Sequence, residues 1–408
     1  MIPVSELRPQ FPALNRQIEG KTPIYLDGPG GTQVPQRVLD AMVHYLTTCS
    51  ATHGGSFPTS RESDEILLHA HQAMADLLNA PSHEEIVFGL NMTTLTFHIS
   101  RSLAKEWKED DEVIVTRLDH DANVRPWALA AADAGATLRF VDFHREDGTL
   151  DMEDLRSKLN ERTRLVAIGA ASNLLGTIND VETISQWAHE VGALTYVDAV
   201  HFAPHGLIDV QKWGCDFLAC SAYKFFGPHV GILWGRREHL ERLTPYKVRP
   251  AGNQIPDRWM TGTQNHEGIA GTLEAVNYLA SITSSDDRRP SLKASMEAIH
   301  AYELDLSRRL LEGLAERPSF RVWGLSDLSR LAERVPTISV THDRHSPLEM
   351  ERHLASHQIF AWAGNMYALE VTEHLGIEEE GGALRLGLVH YNTAEEIDAL
   401  LRALDQLS

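Results

Sequence analysis

The chain has 408 residues, enough for a large domain and a smaller one at about 100 to 200 residues per domain. Hydrophobic residues make up 43% and charged residues 23%, and there is no tandem repeat or low-complexity tract, which sets disordered and fibrous classes aside. A formal charge of −20 argues against a nucleic-acid partner, because phosphate contacts need clustered Lys and Arg.

In chain order, the opening MIPVSELRPQFPAL lacks a basic stretch followed by an apolar core, and no uncharged apolar run approaches the roughly 18 residues of a membrane span. The expectation is a cytoplasmic protein without membrane association. Helical patterns at Gln36 to Thr47 and Arg61 to Asn79 precede strand candidates at Glu85 to Phe88 and Val113 to Arg117. Further candidates follow at Leu138 to Phe143, Leu165 to Ala170, Leu194 to Val197, Phe217 to Cys220 and Gly231 to Gly235, with helices such as Val181 to Val191 between several of them. Near-continuous apolar strands alternating with helices predict an α/β fold with a mainly parallel seven-stranded sheet covered on both faces.

From His266 the pattern changes to long amphipathic helices, Gly271 to Ile282 and Ser291 to Arg317. Shorter elements follow at Thr337 to Thr341, Leu348 to His357, Ile359 to Ala363, Leu384 to Leu388 and Ala394 to Gln406. The predicted organisation is an N-terminal segment 1–20 packing on a small domain, a large domain 21–265, and a smaller α/β domain 266–408. The three cysteines, Cys49, Cys215 and Cys220, show no CxxC or Cys/His spacing, and the 21 histidines show no HExxH, so neither a disulfide framework nor a metal site is expected.

The most informative stretch is TYVDAVHFAPHGLIDVQKWGCDFLACSAYKFFGPHVGILWG. Asp198 ends one apolar strand, and Lys224 follows another 26 positions later. In an open parallel sheet, ligands sit at such strand ends. A lysine between FLACSAY and FFGP is partly desolvated, which lowers its pKa and favours the neutral amine a Schiff base needs. Asp198 would keep the ring nitrogen of pyridoxal 5'-phosphate (PLP) protonated, so that the ring withdraws electrons from a substrate α-carbon. Alone, a lysine after a strand reads more readily as a surface structural residue than as a catalytic one; the surrounding motifs reverse that.

The ordered pieces EIVFGLNMTT, LDHDANVRPW, ASNLLGTIND, YVDAVH, SAYKFFGP, TGTQN and LRLGLVHYNT resemble the class V aminotransferase group of PLP enzymes, fold type I. Within that group the chain is most similar to the cysteine desulfurase and selenocysteine lyase branch. The resemblance implies that Lys224 carries the cofactor, Asp198 partners the ring nitrogen and His120 stacks on the ring. It implies that Asn91, Met92 and Thr93 open a helix whose N-terminus holds the phosphate, with Ser221 and Tyr223 closing over it. Thr263 resembles a residue contributed from the other subunit of a homodimer. The resemblance further implies that Asn173 and His201 lie beside the cofactor oxygen, His201 standing where the desulfurases usually have Gln, and that Arg385 grips the α-carboxylate of an amino-acid substrate with Asn173 close to that carboxylate.

The resemblance also has gaps. Desulfurases place a mobile cysteine on a loop shortly before the carboxylate arginine, whereas IFAWAGNMYALEV has Tyr367 at about that place. Tyr223 replaces a common His, and the following glycine segment is one residue shorter. The expected function is therefore a PLP-dependent, cysteine desulfurase-like carbon–sulfur lyase working by β-elimination, with Tyr367 or His201 aiding the leaving group. A class V aminotransferase, an amino-acid epimerase and a PLP-binding regulatory protein remain open at this point.

Overall fold

The computed structural model describes residues 2–283, 285 and 287–407. A short strand β1 (Ile24–Tyr25) precedes the seven strands predicted from the apolar runs: β2 (Ile86–Gly89), β3 (Glu112–Thr116), β4 (Thr137–Val141), β5 (Thr163–Gly169), β6 (Leu194–Asp198), β7 (Phe217–Ser221) and β8 (Gly231–Gly235). They form one sheet in the order β2-β8-β7-β6-β5-β3-β4. Only β8 runs against the rest, pairing antiparallel with both β2 and β7, so the other six strands share a direction.

The runs are apolar at every position because both faces are covered, and alternate residues serve opposite cores. Ile114, Val166, Ile168, Val197, Leu218 and Ile232 join one apolar cluster. Val113, Val115, Leu165, Ala167, Tyr196 and Leu233 join another, together with Leu95, Ile99 and Leu103 of helix Met92–Ala104 and Trp127 of helix Arg125–Ala134.

The C-terminal part builds a separate four-stranded antiparallel sheet from β9 (Phe320–Trp323), β10 (Thr337–His342), β12 (Trp362–Gly364) and β13 (Ala383–Gly387), in the order β12-β13-β10-β9. The expected strand Ile359 to Ala363 is divided. β11 (Ile359–Phe360) pairs in parallel with β1, while β12 pairs with β13. A one-strand reading fails here because the chain changes partner between Phe360 and Trp362.

Helix His266–Ser281 buries Ile269, Ala275, Val276, Tyr278 and Leu279 in the cluster of the large sheet. The long helix Arg288–Ala315 reaches both cores: Leu292, Met296 and Ile299 join the large cluster, and Leu306, Leu310 and Leu314 join that of the C-terminal sheet. The N-terminal residues Phe11 and Leu14 pack into the large cluster, Phe11 lying edge-on to Tyr278 and Tyr391, while Arg8 pairs with Glu396 at 2.8 Å.

Candidate active site

Because six strands run the same way, their carboxyl ends lie along one edge of the sheet, and most expected site residues fall there. Asn91 follows β2, His120 follows β3, Asn173 follows β5, Asp198 ends β6, and Ser221 to Lys224 close β7. Gly231, at the start of the reversed β8, meets the same edge. A Cβ there would stand 2.4 Å from the Asn91 carbonyl carbon, so only glycine lets β8 approach the loop this closely.

Asn91 caps helix Met92–Ala104 in a capping box: its Oδ1 accepts from the Thr94 N–H at 2.9 Å, and Thr94 Oγ1 accepts from the Asn91 N–H at 3.3 Å. The Met92 N–H donates to the buried Ser221 Oγ at 2.9 Å, which ties this helix to the end of β7. Thr93 takes no part in that cap, which leaves its amide and hydroxyl at the open first turn, where an anion can be bound.

Lys224 is half-buried, and its Nζ donates to the carbonyl oxygens of Pro29 and Gly30, the latter at 3.2 Å. Burial pushes its ammonium down to about 7, the positive charge of Arg385 adds to the fall, and Asp198 opposes it. Asp198 is buried and accepts from the Val200 N–H at 2.9 Å. Burial lifts its carboxyl to about 6, against the Val200 hydrogen bond and the charge of Lys224, so a cation beside it would restore the carboxylate.

His120 Nδ1 accepts from the Ala122 N–H at 2.9 Å, which puts the proton of the neutral ring on Nε2. Burial, with Lys224 and Arg385, holds its pKa down at about 4. Tyr367 stacks on it with centroids 5.4 Å apart and planes 22° from parallel. Tyr223 stacks on His229 at 4.9 Å, with Lys224 Nζ 4.9 Å from the Tyr223 centroid.

From the C-terminal sheet, Arg385 enters on β13, buried, and its Nη1 donates to the Asn173 carbonyl at 3.0 Å. Asn173 Nδ2 donates to the Met366 carbonyl at 2.8 Å, while its Oδ1 is buried without a partner. His201 is buried, with Nε2 2.9 Å from Thr337 Oγ1, and its ring meets His205 edge-on. His205 Nδ1 in turn lies 2.9 Å from Glu303 Oε2.

Thr263 stands apart from this group within one chain. It is exposed and lines a cleft of about 700 Å³ with Phe88, Leu95, His98, Tyr246 and Trp259, beside Gly89, Leu90 and Thr94.

Sequence reasoning assigned no role to Asp27, Pro29 or Gly30. Asp27 is a buried carboxyl with Oδ1 unpartnered, lifted by burial to about 6 against the pull of Arg385. YLDGPGG was the available signal, but contacts made by carbonyl oxygens leave no mark on residue type. Asp119, buried and bonded by Thr116 Oγ1 at 2.6 Å, was also passed over.

The family model for class V aminotransferases matches residues 24–400. The chain belongs to the class V aminotransferase family. Among curated relatives, an aminotransferase-like protein of Gibberella zeae is 34% identical over 99% of this chain and 98% of its own. A cysteine desulfurase of Pectobacterium carotovorum is 30% identical, also over 99% and 98%. A probable cysteine desulfurase of Synechocystis is 32% identical over 98% of this chain and 94% of its own. Among solved structures, a cysteine desulfurase from Thermococcus onnurineus superposes with a TM-score of 0.89 at 26% identity, covering 100% of this chain and 98% of that one. The cysteine desulfurase CsdA from Escherichia coli gives 0.86 at 26% identity over the same shares.

This member of the class V aminotransferase family is therefore a PLP-dependent enzyme of fold type I, similar to cysteine desulfurases, that acts on amino acids. Its donor set fits the cofactor. A lysine inclined to neutrality stands near a buried carboxyl short of a cation, and a helix N-terminus adjoins the Ser221 hydroxyl. Among the described residues no cluster of His, Cys, Asp and Glu is placed to hold a metal ion, and no helix is long and apolar enough to cross a membrane.

Proposed function

We propose that this enzyme is a carbon–sulfur lyase that breaks the Cβ–S bond of a cysteine derivative by elimination, without a persulfide-forming cysteine. One observation carries the reading: the loop before Arg385 offers the aromatic ring of Tyr367 to the site, stacked on His120. The cysteines do not substitute for it, since Cys49, Cys215 and Cys220 are all buried. Burial pushes the thiols of Cys215 and Cys220 up, away from the thiolate that sulfur chemistry requires.

In this reading Lys224 holds PLP, Asp198 partners the ring nitrogen, and His120 offers the ring the face that Tyr367 does not cover. Asn91, Met92, Thr93, Ser221 and Tyr223 hold the phosphate, and Asn173 and His201 lie beside the phenolic oxygen. The active form is a cytoplasmic homodimer in which the partner subunit's Thr263 completes the phosphate site. Bound there, PLP supplies an aldehyde for the amine and a ring that withdraws electron density from the substrate α-carbon.

The protein's own groups do the rest. Arg385 keeps its remaining N–H groups for the α-carboxylate while Nη1 is anchored on Asn173. Lys224, as the neutral amine, takes the Cα proton. The Cβ–S bond breaks with its electron pair leaving on sulfur, and the Tyr367 hydroxyl protonates the departing thiolate. The three-carbon enamine that remains takes up water and yields pyruvate and ammonium.

Amino transfer is a second reading, favoured by the 34% identity to a protein named aminotransferase-like. Incubating the purified holoenzyme with a panel of amino acids, while following the visible spectrum and assaying products, separates the two. Pyruvate and ammonium in equal amounts from a cysteine derivative are expected. Alanine with released sulfur would overturn the proposal, as would a keto acid with the cofactor left in its amine form, or α-hydrogen exchange without product.

A further inference from the structure

We infer that the substrate's sulfur carries an apolar or aromatic substituent, making it a thioether of cysteine seated between Tyr367 and Trp362. This rests on the elimination reading for the identity of the bond that breaks. It is carried by the construction of the loop after β12.

Met366 and Tyr367 both adopt the left-handed region, with φ of 54° and 59°, a conformation side chains other than glycine avoid. Two such residues in succession persist only where the surroundings fix them. Here the Asp121 N–H donates to the Tyr367 carbonyl at 2.7 Å, Asn173 Nδ2 donates to the Met366 carbonyl at 2.8 Å, and the Tyr367 N–H donates to Asn365 Oδ1 at 3.1 Å. Asn365 is itself held by Glu378 at 3.0 Å.

All this ordering delivers a tyrosine ring that lies flat on His120 yet is 74% exposed. A fixed apolar face left to water on a strained loop is the signature of a surface that a ligand covers.

Trp362 supplies the second face. It pairs with Arg385 across β12 and β13, so the two side chains leave the sheet on the same side. Its ring is 51% exposed and leans on Gly30, where an added Cβ would stand 2.9 Å from the indole Nε1. The Gly30 carbonyl is also one of the two that Lys224 touches. A substrate with its carboxylate on Arg385 and its α-carbon at Lys224 therefore extends its side chain between the two rings.

Two carboxylates of this rim are already engaged: Glu351 accepts the Ala363 N–H, and Glu378 takes Asn365 Nδ2 and the Thr372 hydroxyl. Between Trp362 and Tyr367 a substituent meets ring surface.

The test titrates the holoenzyme, by the visible band of its cofactor, with S-benzyl-, S-methyl-, S-carboxymethyl- and S-(2-aminoethyl)-cysteine and with cysteine. S-benzylcysteine should bind about tenfold more tightly than the two charged analogues, the scale of one aromatic contact. Tyr367→Ala and Trp362→Ala should each abolish most of that preference while S-methylcysteine changes about twofold or less, and Tyr367→Phe should retain it. Equal binding of all analogues, a preference for either charged one, or an equal loss for every ligand in Tyr367→Ala would overturn the inference. Because the readout is binding, it separates from the reaction. A retained apolar preference with alanine or a keto acid as product upholds the pocket and sinks elimination, whereas pyruvate formed without any preference does the reverse.

Discussion

Nζ of Lys224 donates to the carbonyl oxygen of Gly30 at 3.2 Å, so the amine at the end of β7 rests on a backbone segment from the start of the chain. That position is poor in water, and burial brings the ammonium down to about 7. A lowered lysine pKa means the nucleophilic amine is the main form above that pH. The rate at which cofactor-free protein develops a visible band on mixing with PLP should rise between pH 6 and 8 and then level. An ordinary lysine, with a pKa of about 10.4, would keep gaining rate above pH 9, and that result would contradict the assignment.

Arg385→Lys keeps a positive charge and loses the planar fork. KM for an amino-acid substrate should rise about ten- to a hundredfold with a smaller change in kcat, because in the proposed site the fork serves carboxylate binding. Steady-state kinetics check this, and an unchanged KM would move carboxylate binding elsewhere.

His205 and Glu303 form a pair at 2.9 Å with both side chains 1% exposed. Glu303→Ala strips a buried imidazole of its partner and should cost about 3 kcal/mol in urea unfolding. Glu303→Gln keeps a hydrogen-bonding atom and should recover part of the loss. Equal effects of the two would show that the carboxylate charge, and neither packing volume nor a neutral hydrogen bond, is what matters.

Asp119 gives a pH prediction with a definite sign. Burial raises its carboxyl to about 7, against hydrogen bonds from Thr116 and Asn123. The unfolded value is about 3.9, so the stability this group contributes is full below that pH and is lost as pH rises toward 7. The stability of cofactor-free wild type relative to Asp119→Asn should therefore fall between about pH 4 and 7, by on the order of 4 kcal/mol, and stay level above. A difference that does not change with pH would contradict it.

The large sheet was legible because a strand buried on both faces needs apolar residues at every position, which Leu165 to Ile168 or Phe217 to Cys220 state outright. Lys224 and Asp198 were legible because they interrupt or end such runs. β9 was missed: its residues Phe320 to Trp323 alternate with Arg321 at the sheet margin, leaving too short a signal. Helix His266–Ser281 showed its amphipathic pattern but not its partner, since periodicity says that a face is buried and not against what. The stack of Tyr367 on His120 joins loops separated by most of the chain, and backbone contacts such as that of Gly30 leave no trace in residue type.

The claim that sulfur leaves by elimination without a cysteine nucleophile is tested most directly by replacing Cys49, Cys215 and Cys220 together with alanine and assaying S-methylcysteine. The cofactor-loaded variant should form pyruvate, ammonium and methanethiol in equal amounts at a rate within about threefold of wild type, since buried thiols contribute packing alone. A variant that binds PLP with the normal spectrum yet has lost turnover, or a wild-type enzyme that makes alanine instead of pyruvate, would contradict the account.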